Sequence, residues 1–271
     1  MLFITIVNYR TPTDLDRCLF SIKKHEPTCD YEVRVVNNDP RPGDVAVARR
    51  YGFHQAVHDN IGYARACNQS GDRFEAFWRA AGRMASEQAV HGFFNADVEF
   101  TEGVLDACHD AMLANDDWAI LGPRQVNRLG QMTHAGIFGT NDKPRIRGWK
   151  KLGDQYTEVD DSAVSVSGSA YFVNSTAWRE LRDCHTYRAF LKTRDLGAEP
   201  GAFLPTDHYY EETWLSYHAR AHGWKVAYWG ANTMIHEWHQ ASPVGGWAEK
   251  KMPESRELFR AACGSHGIDH D

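Results

Sequence analysis

The chain predicts an α/β fold, a mixed and mainly parallel sheet flanked by helices, and three observations carry that prediction. Apolar runs of strand length alternate with stretches that place apolar residues on one helical face. Each of the first strands ends abruptly in a polar turn rather than a hairpin. Finally, 271 residues with 42% hydrophobic and 24% charged content are those of a globular chain with room for a sizeable core.

The first strand, Leu2 to Val7, runs into Asn8-Tyr9-Arg10-Thr11-Pro12. Its opening lacks a basic leader, and its apolar run is too short for a signal peptide or a membrane span. Pro12, Thr13 and Asp14 then start a helix with Leu15, Cys18, Leu19 and Ile22 on one face. A second strand, Tyr31 to Val36, ends in Asn37-Asn38-Asp39-Pro40, which completes a βαβ unit. The strand ends of such a unit belong at a nucleotide-binding edge.

A short helix at Asp44 to Tyr51 and a strand at Phe53 to Val57 follow, and the loop from His58 to Tyr63 then enters a helical stretch that extends to about Ala89. Gly62 at that entrance lets backbone amides approach an anion, and Arg65 is placed to reach a diphosphate. The next apolar run, His91 to Phe94, gives way to Asn95-Ala96-Asp97-Val98-Glu99. On an extended chain Asn95, Asp97 and Glu99 share one side, a row of oxygen donors suited to Mg²⁺ or Mn²⁺.

Strands are expected at Trp118 to Leu121 and after a hairpin turn over Gly130 to Gly136, and a long polar loop with a short strand over 141–161 has the character of a lid. A helix opens at Glu211-Glu212, capped by Thr206 or Asp207 and stopped by Gly223; Lys225 to Trp229 is a strand that leads on to His236. Histidines at 236 and 239 are three apart and follow a strand, which excludes the helical zinc-protease spacing of four. Trp149, Trp229, Trp238 and Trp247 offer flat aromatic faces on which a ring could stack. The tail is expected to be a loop and then a helix from Pro253 to Cys263 that packs through Leu258, Phe259 and Ala262.

A net charge of −6 argues against a chain that grips nucleic acid through its overall field. Six scattered cysteines without a CxxC pair indicate neither a disulfide framework nor a zinc ribbon, and a reducing cytoplasm is the expectation.

Four segments in order and spacing, Val7-Asn8-Tyr9, Val36-Asn37-Asn38-Asp39, Asn60-Ile61-Gly62-Tyr63 through Asn68, and Phe94-Asn95-Ala96-Asp97-Val98-Glu99, resemble the successive motifs of the GT-A glycosyltransferases of family 2. The similarity is greatest to the rhamnosyltransferase-like group. It continues through Ser167-Gly168-Ser169-Ala170-Tyr171-Phe172-Val173, which resembles the family's small-residue strand before an acceptor-side helix (here Ser175 to Leu181), then Glu211-Glu212 and His236. The resemblance implies one GT-A unit over 1–240, with a nucleotide-sugar half (1–99) and an acceptor half (100–240), followed by a loop and helix at 241–271.

It further implies an inverting transfer from a UDP- or dTDP-linked sugar to a hydroxyl of a glycan, glycolipid or protein acceptor. Asp97 and His236 would hold Mn²⁺ or Mg²⁺, and Glu212, with Glu211 beside it, would be the general base. Val7, Asn8, Tyr9, Arg10, Asn37, Asn38, Asn60, Gly62, Arg65, Asn68, Asn95 and Ala96 would line the donor, and Ser167, Gly168 and Trp149 the acceptor. Three positions depart from the family pattern: Asn37 and Asn95 stand where aspartates are usual, and Glu212 replaces the more frequent aspartate. Two alternatives remain: a nucleotidyltransferase, although Asn8 to Pro12 is no glycine-rich phosphate loop, and an inactive nucleotide- or sugar-binding module.

Overall fold

The computed structural model describes residues 1–82, 88–197, 201–237 and 247–270. The chain begins with β1 (Leu2–Asn8), α1 (Pro12–Lys24), β2 (Tyr31–Asn38), α2 (Pro42–Arg50), β3 (His54–His58) and α3 (Tyr63–Ala80). It continues with β4 (Val90–Asn95), β5 (Val98–Phe100), α4 (Val104–Ala114), β6 (Trp118–Val126), β7 (Met132–His134), β8 (Ile137–Thr140), β9 (Lys143–Ile146) and β10 (Val159–Asp160). Last come β11 (Ala170–Asn174), α5 (Ser175–Asp183), α6 (His185–Thr193), α7 (Glu211–Ala221), β12 (Lys225–His236) and α8 (Trp247–Ser265).

The main sheet has the order β10-β12-β6-β11-β4-β1-β2-β3, with β5 added to β12 and β7 to β6; β8 and β9 form a separate ribbon. β1 pairs in parallel with β2 and β4, and β2 with β3, so these strands emerge at one edge, whereas β11 runs antiparallel between β4 and β6. β1 is buried along its whole length, as a central parallel strand covered on both faces must be. Leu2, Ile4 and Ile6 meet Leu15, Cys18, Leu19 and Ile22 of α1 in one core. Each such large apolar side chain contributes about 1.5–3 kcal/mol on burial. The other face is built on Cys67, Phe93, Tyr171, Trp178, Phe203 and Leu215, and a third core joins α6, α7 and α8 through Tyr187, Trp214 and Phe259.

Several expectations need correction. The helix after Tyr63 ends at Ala80 rather than near Ala89, where Gly82 takes a left-handed φ of 72°. α6 is an element that the sequence expectations lack, although its buried residues, Tyr187, Phe190 and Leu191, have the i, i+3, i+4 spacing of one helical face. Helix α8 begins at Trp247 and carries Pro253 inside it, whereas the proline had suggested a start. The strand from Lys225 is continuous to His236, with a register shift between Trp229 and Thr233. No helix among the described residues is long and apolar enough to cross a membrane.

Candidate active site

The parallel register places Asn8, Asn37 and Asn95 at the same sheet edge. There the first two form a closed knot. The Asn8 amide donates to Asn37 Oδ1 and Asp44 Oδ1, both at 2.9 Å, and its oxygen accepts the Thr11 hydroxyl at 2.9 Å. Asn37 donates to Gln55 at 3.2 Å. These amides join the ends of β1 and β2 to the first turn of α2 and to β3. Asn38 donates to the Gly62 carbonyl at 3.2 Å, and its own oxygen has no hydrogen bond among the described residues. On the outer surface, Arg10 pairs with Asp39 and lies 5.3 Å from the Tyr9 ring centre, while Val7 is buried and accepts the Ala96 amide at 3.2 Å.

The entrance to α3 depends on Gly62, whose φ of 84° is costly for any residue with a side chain. A Cβ there would also lie 3.1 Å from the Asp207 carbonyl. Asn60 accepts the Gly62 amide at 3.0 Å. Asn68 uses both ends of its amide on the backbone of Phe203, at 2.9 and 3.0 Å, and Arg65 stands 3.7 Å from Asp207. The start of α3 is therefore fastened to the segment that precedes α7. Arg65 and Asn68 face a separate cavity of about 240 Å³.

A cavity of about 310 Å³ gathers Asn95, Asp97, His236, Ser167, Gly168, Glu211 and Glu212, from β4, the turn after it, β12, the segment before β11, and α7. The expected row of Asn95, Asp97 and Glu99 on one strand is not formed. β4 stops at Asn95, Ala96 and Asp97 turn, and β5 starts anew, because Val98 pairs antiparallel with His236 of β12. That pairing sets Asp97 Oδ1 3.6 Å from His236 Nε2, and Glu99 instead meets Arg128 and Arg17.

At the head of α7, Tyr209 and Tyr210 both have left-handed backbones, with φ of 67° and 70°. The predicted caps, Thr206 and Asp207, do not cap: Tyr210 stands at the N-cap without a side-chain bond, and the Thr206 hydroxyl lies 3.3 Å from Glu211 Oε2. Glu212 reaches Thr213 Oγ1 at 3.2 Å and lies against Gly168, where a Cβ would come within 3.1 Å of its Oε2. The glycine leaves this carboxylate its room.

Burial dominates the electrostatics. It pushes Asp97 up to about 7, with Asp14 and Glu237 adding to the rise. It pushes Glu211 up to about 8, helped by the neighbouring Glu212, which is itself raised by burial. Carboxyls so displaced lack positive charge nearby. Asp97 Oδ1, moreover, is buried with no hydrogen bond among the described residues, so a divalent cation beside Asp97 and His236 fits the donor set.

His134, which the sequence marks only as part of a hairpin turn, also lines this cavity. Its Nδ1 accepts the Gly136 amide at 3.0 Å, so the neutral ring carries its proton on Nε2; burial and nearby His236 hold it down to about 3. His134 is thus a donor toward the cavity, not a ligand for metal. Its proximity to Asp97 arises from strand pairing across the sheet, which no local pattern announces. Trp149 is 37% exposed on a turn away from this cavity, and Trp229 is partly buried, donating to Asn232 at 3.2 Å. Trp238 and the Trp247 side chain lie outside the described residues, as does 241–246 of the expected terminal loop.

No protein-family profile and no curated protein sequence matches this chain. Solved structures do. The crystal structure of S. aureus TarS 1-349 superposes with a TM-score of 0.56 at 13% identity, covering 100% of this chain and 67% of that one. GalNAc-T7 with UDP, GalNAc and Mn²⁺ gives 0.59 at 14%, covering 99% and 55%. Mannosyltransferase PcManGT from Pyrobaculum calidifontis, in complex with GDP-Man and Mn²⁺, gives 0.53 at 13%, covering 98% and 72%. This chain therefore spans from little more than half to under three quarters of their lengths. At such identities the likeness establishes architecture, and the mainly parallel sheet flanked by helices is the fold of the GT-A glycosyltransferases.

Proposed function

We propose that this chain is an inverting, metal-dependent glycosyltransferase of the family 2 type. It moves a hexosyl or deoxyhexosyl group from a UDP- or dTDP-linked sugar to a hydroxyl of a glycan, glycolipid or protein. The observation that carries this reading is the convergence of Asp97, His236, Glu211 and Glu212 on one cavity of about 310 Å³. Two of the similar structures hold Mn²⁺, one with UDP and one with GDP-Man, which supports a nucleotide and a divalent cation here too.

Asp97 and His236 would hold Mn²⁺ or Mg²⁺, which would supply positive charge to offset that developing on the departing diphosphate. Glu212 takes the acceptor proton as that oxygen attacks the anomeric carbon, and attack from the face opposite the leaving group inverts the centre. Burial raises the Glu212 pKa above the usual glutamate range, which makes its carboxylate a stronger base. Glu211, deeper and bonded to Thr206, keeps the start of α7 in place. Ser167 and Gly168 border the acceptor, and His134 offers its Nε2 proton to a sugar or phosphate oxygen. The donor's nucleotide lies along Val7 to Arg10, Asn37, Asn38 and the Asn60 to Asn68 region. A reducing compartment such as the cytoplasm is part of this reading, since the six cysteines are unpaired.

Thermal melting against UDP, dTDP, GDP and CDP, each with and without Mn²⁺, tests the reading. A ligand at a hundredfold excess over its Kd stabilises the folded state by about 2.7 kcal/mol. A Mn²⁺-dependent rise with UDP or dTDP, lost in Asp97→Asn, is expected. No rise with any of the four nucleotides at millimolar concentration overturns it.

A further inference from the structure

The helix that opens with Glu211 and Glu212 ends in a second polar cluster, remote from the cavity. His218 of α7 is fully buried, and neither ring nitrogen has a hydrogen bond among the described residues. Trp214 stacks on it at 4.8 Å and Tyr187 stands 5.4 Å away. Facing it are His266, just beyond α8, with ring centres 5.1 Å apart, and Cys184, at the junction of α5 and α6. One ligand atom from each of Cys184, His218 and His266 lies within 4.8 Å of the others.

The His266 ring is set from behind. Its Nδ1 lies 2.9 Å from the Ala262 carbonyl and 2.8 Å from Ser265 Oγ, whose own proton goes to that carbonyl; a proton on Nδ1 suits both and leaves a lone pair on Nε2, which is buried with no hydrogen bond among the described residues. A ring N–H held by a backbone carbonyl is how metal-binding histidines are commonly oriented. A histidine used only for packing normally finds at least one hydrogen bond. Three buried ring nitrogens without one, gathered beside a thiol, therefore point to an occupant.

We propose that Cys184, His218 and His266 form a structural zinc site that ties the C-terminal helix to the helix bearing the general base. One thiolate and two imidazoles suit Zn²⁺ rather than the oxygen-seeking Mg²⁺ or Mn²⁺ of the catalytic cavity. Tetrahedral zinc holds such ligand atoms roughly 3.3–3.6 Å apart, so the cluster closes by about 1 Å on binding. The Cys184 thiol gives its proton to solvent as the sulfur–zinc bond forms, with no change of oxidation state. The fourth position is open to water; His222 lies outside the cluster of three, with its ring centre 4.8 Å from that of His218 and its Nδ1 backed by Glu180 Oε1 at 2.9 Å, and reaches that position only by turning its ring.

The helix so fastened also reaches the head of α7. Arg256 donates to the Tyr210 hydroxyl at 2.9 Å, the Tyr210 ring stacks on Phe259 at 5.1 Å, and Lys251 pairs with Asp207 at 3.2 Å.

The test is a Co²⁺ titration of chelator-treated full-length protein carrying Asp97→Asn, which removes the carboxylate of the catalytic cavity. One equivalent of Co²⁺ is expected to give visible bands of tetrahedral intensity and a thiolate-to-cobalt charge-transfer band, both displaced by Zn²⁺. Cys184→Ser abolishes the charge-transfer band, and either Cys184→Ser or His266→Gln weakens Zn²⁺ binding in chelator competition by about tenfold or more. Because Cys184 and His266 are only partly buried, both variants keep their packing, and a cooperative melt checks this. A cobalt spectrum without a thiolate band, or Zn²⁺ affinity unchanged in both variants, overturns the assignment. The result is independent of the nucleotide experiment, since neither readout involves a sugar donor.

Discussion

The two ends of α7 carry buried polar groups of opposite kinds. At its start two carboxylates face a cavity of about 310 Å³; at its end His218 faces packed aromatic rings, Cys184 and His266. Glu211 and His218 are seven residues apart, two helical turns, so they lie on nearly the same stripe of one helix. What differs is the space in front of them. A cavity of that size admits a molecule whose reaction can use a raised carboxylate pKa. A gap of a few ångströms between thiol and imidazoles admits only an ion. The same device, a polar group held in apolar surroundings, thus serves chemistry at one end and fastening at the other.

Glu212→Gln breaks the first end without touching the second. Turnover is expected to fall by about 10²–10⁴, with the nucleotide-dependent melting shift kept. Near-normal turnover would remove Glu212 as the base, and a lost melting shift would mean it binds donor instead. Gly168→Ala tests the room in front of that carboxylate, since the new Cβ would sit 3.1 Å from Glu212 Oε2. A displacement of under an ångström should lower turnover by about 10²-fold or less, and nucleotide binding should not change. An unaffected rate would show that Glu212 has other room.

Glu211 sharpens the comparison through pH. It titrates at about 8 when folded, against 4.5 for an ordinary glutamate, so the folded chain holds its proton more tightly than the unfolded chain does. The stability linked to that proton is complete below pH 4.5 and is lost as pH rises toward 8. Glu211→Gln cannot ionise, so its melting point should gain on the parent across this window, by at most about 1.4 kcal/mol per pH unit. A constant difference would show that Glu211 is already ionised at low pH. Turnover, in turn, should rise with pH as Glu212 sheds its proton above the usual glutamate range.

The smallest effect is expected at Asn174, which accepts the Thr176 amide at 2.8 Å and caps α5, the helix leading to Cys184. Asn174→Ala should cost about 1 kcal/mol of stability and leave turnover intact. A larger loss, or weaker zinc binding, would tie the Cys184 junction to the register of α5.

Much of the fold was legible in the sequence because its signals are local. The stripe of Leu15, Cys18, Leu19 and Ile22 predicts α1 and its buried face, and all four are buried. Gly223 was expected to stop α7, and it follows that helix with a φ of 87°. Legibility failed where a local rule met a distant partner. Asn95, Asp97 and Glu99 alternate like a strand, yet pairing of Val98 with His236 turned the chain between the first two. Pro253 reads as a helix start, yet α8 runs through it, with Phe259 and Ala262 packed against the helices before it.

Alternation, amphipathic stripes and turn residues, all properties of a few neighbouring side chains, were enough to specify the α/β class and the strands whose ends meet at one edge, while the resemblance to the family 2 glycosyltransferases singled out Asp97, His236, Glu211 and Glu212 as candidates. Folding settled which polar groups are engaged and which are left over. Asn8, Asn37 and Asn68 are placed at the nucleotide edge by the sequence, and only the fold shows what their amides hold: Asp44, Gln55 and Phe203. Cys184, His218 and His266 look like unrelated residues, yet their ligand atoms converge. The physical reason is that burial and helix periodicity act along the chain, whereas a hydrogen bond or a metal ligand is satisfied by whatever the fold brings within about 3 Å.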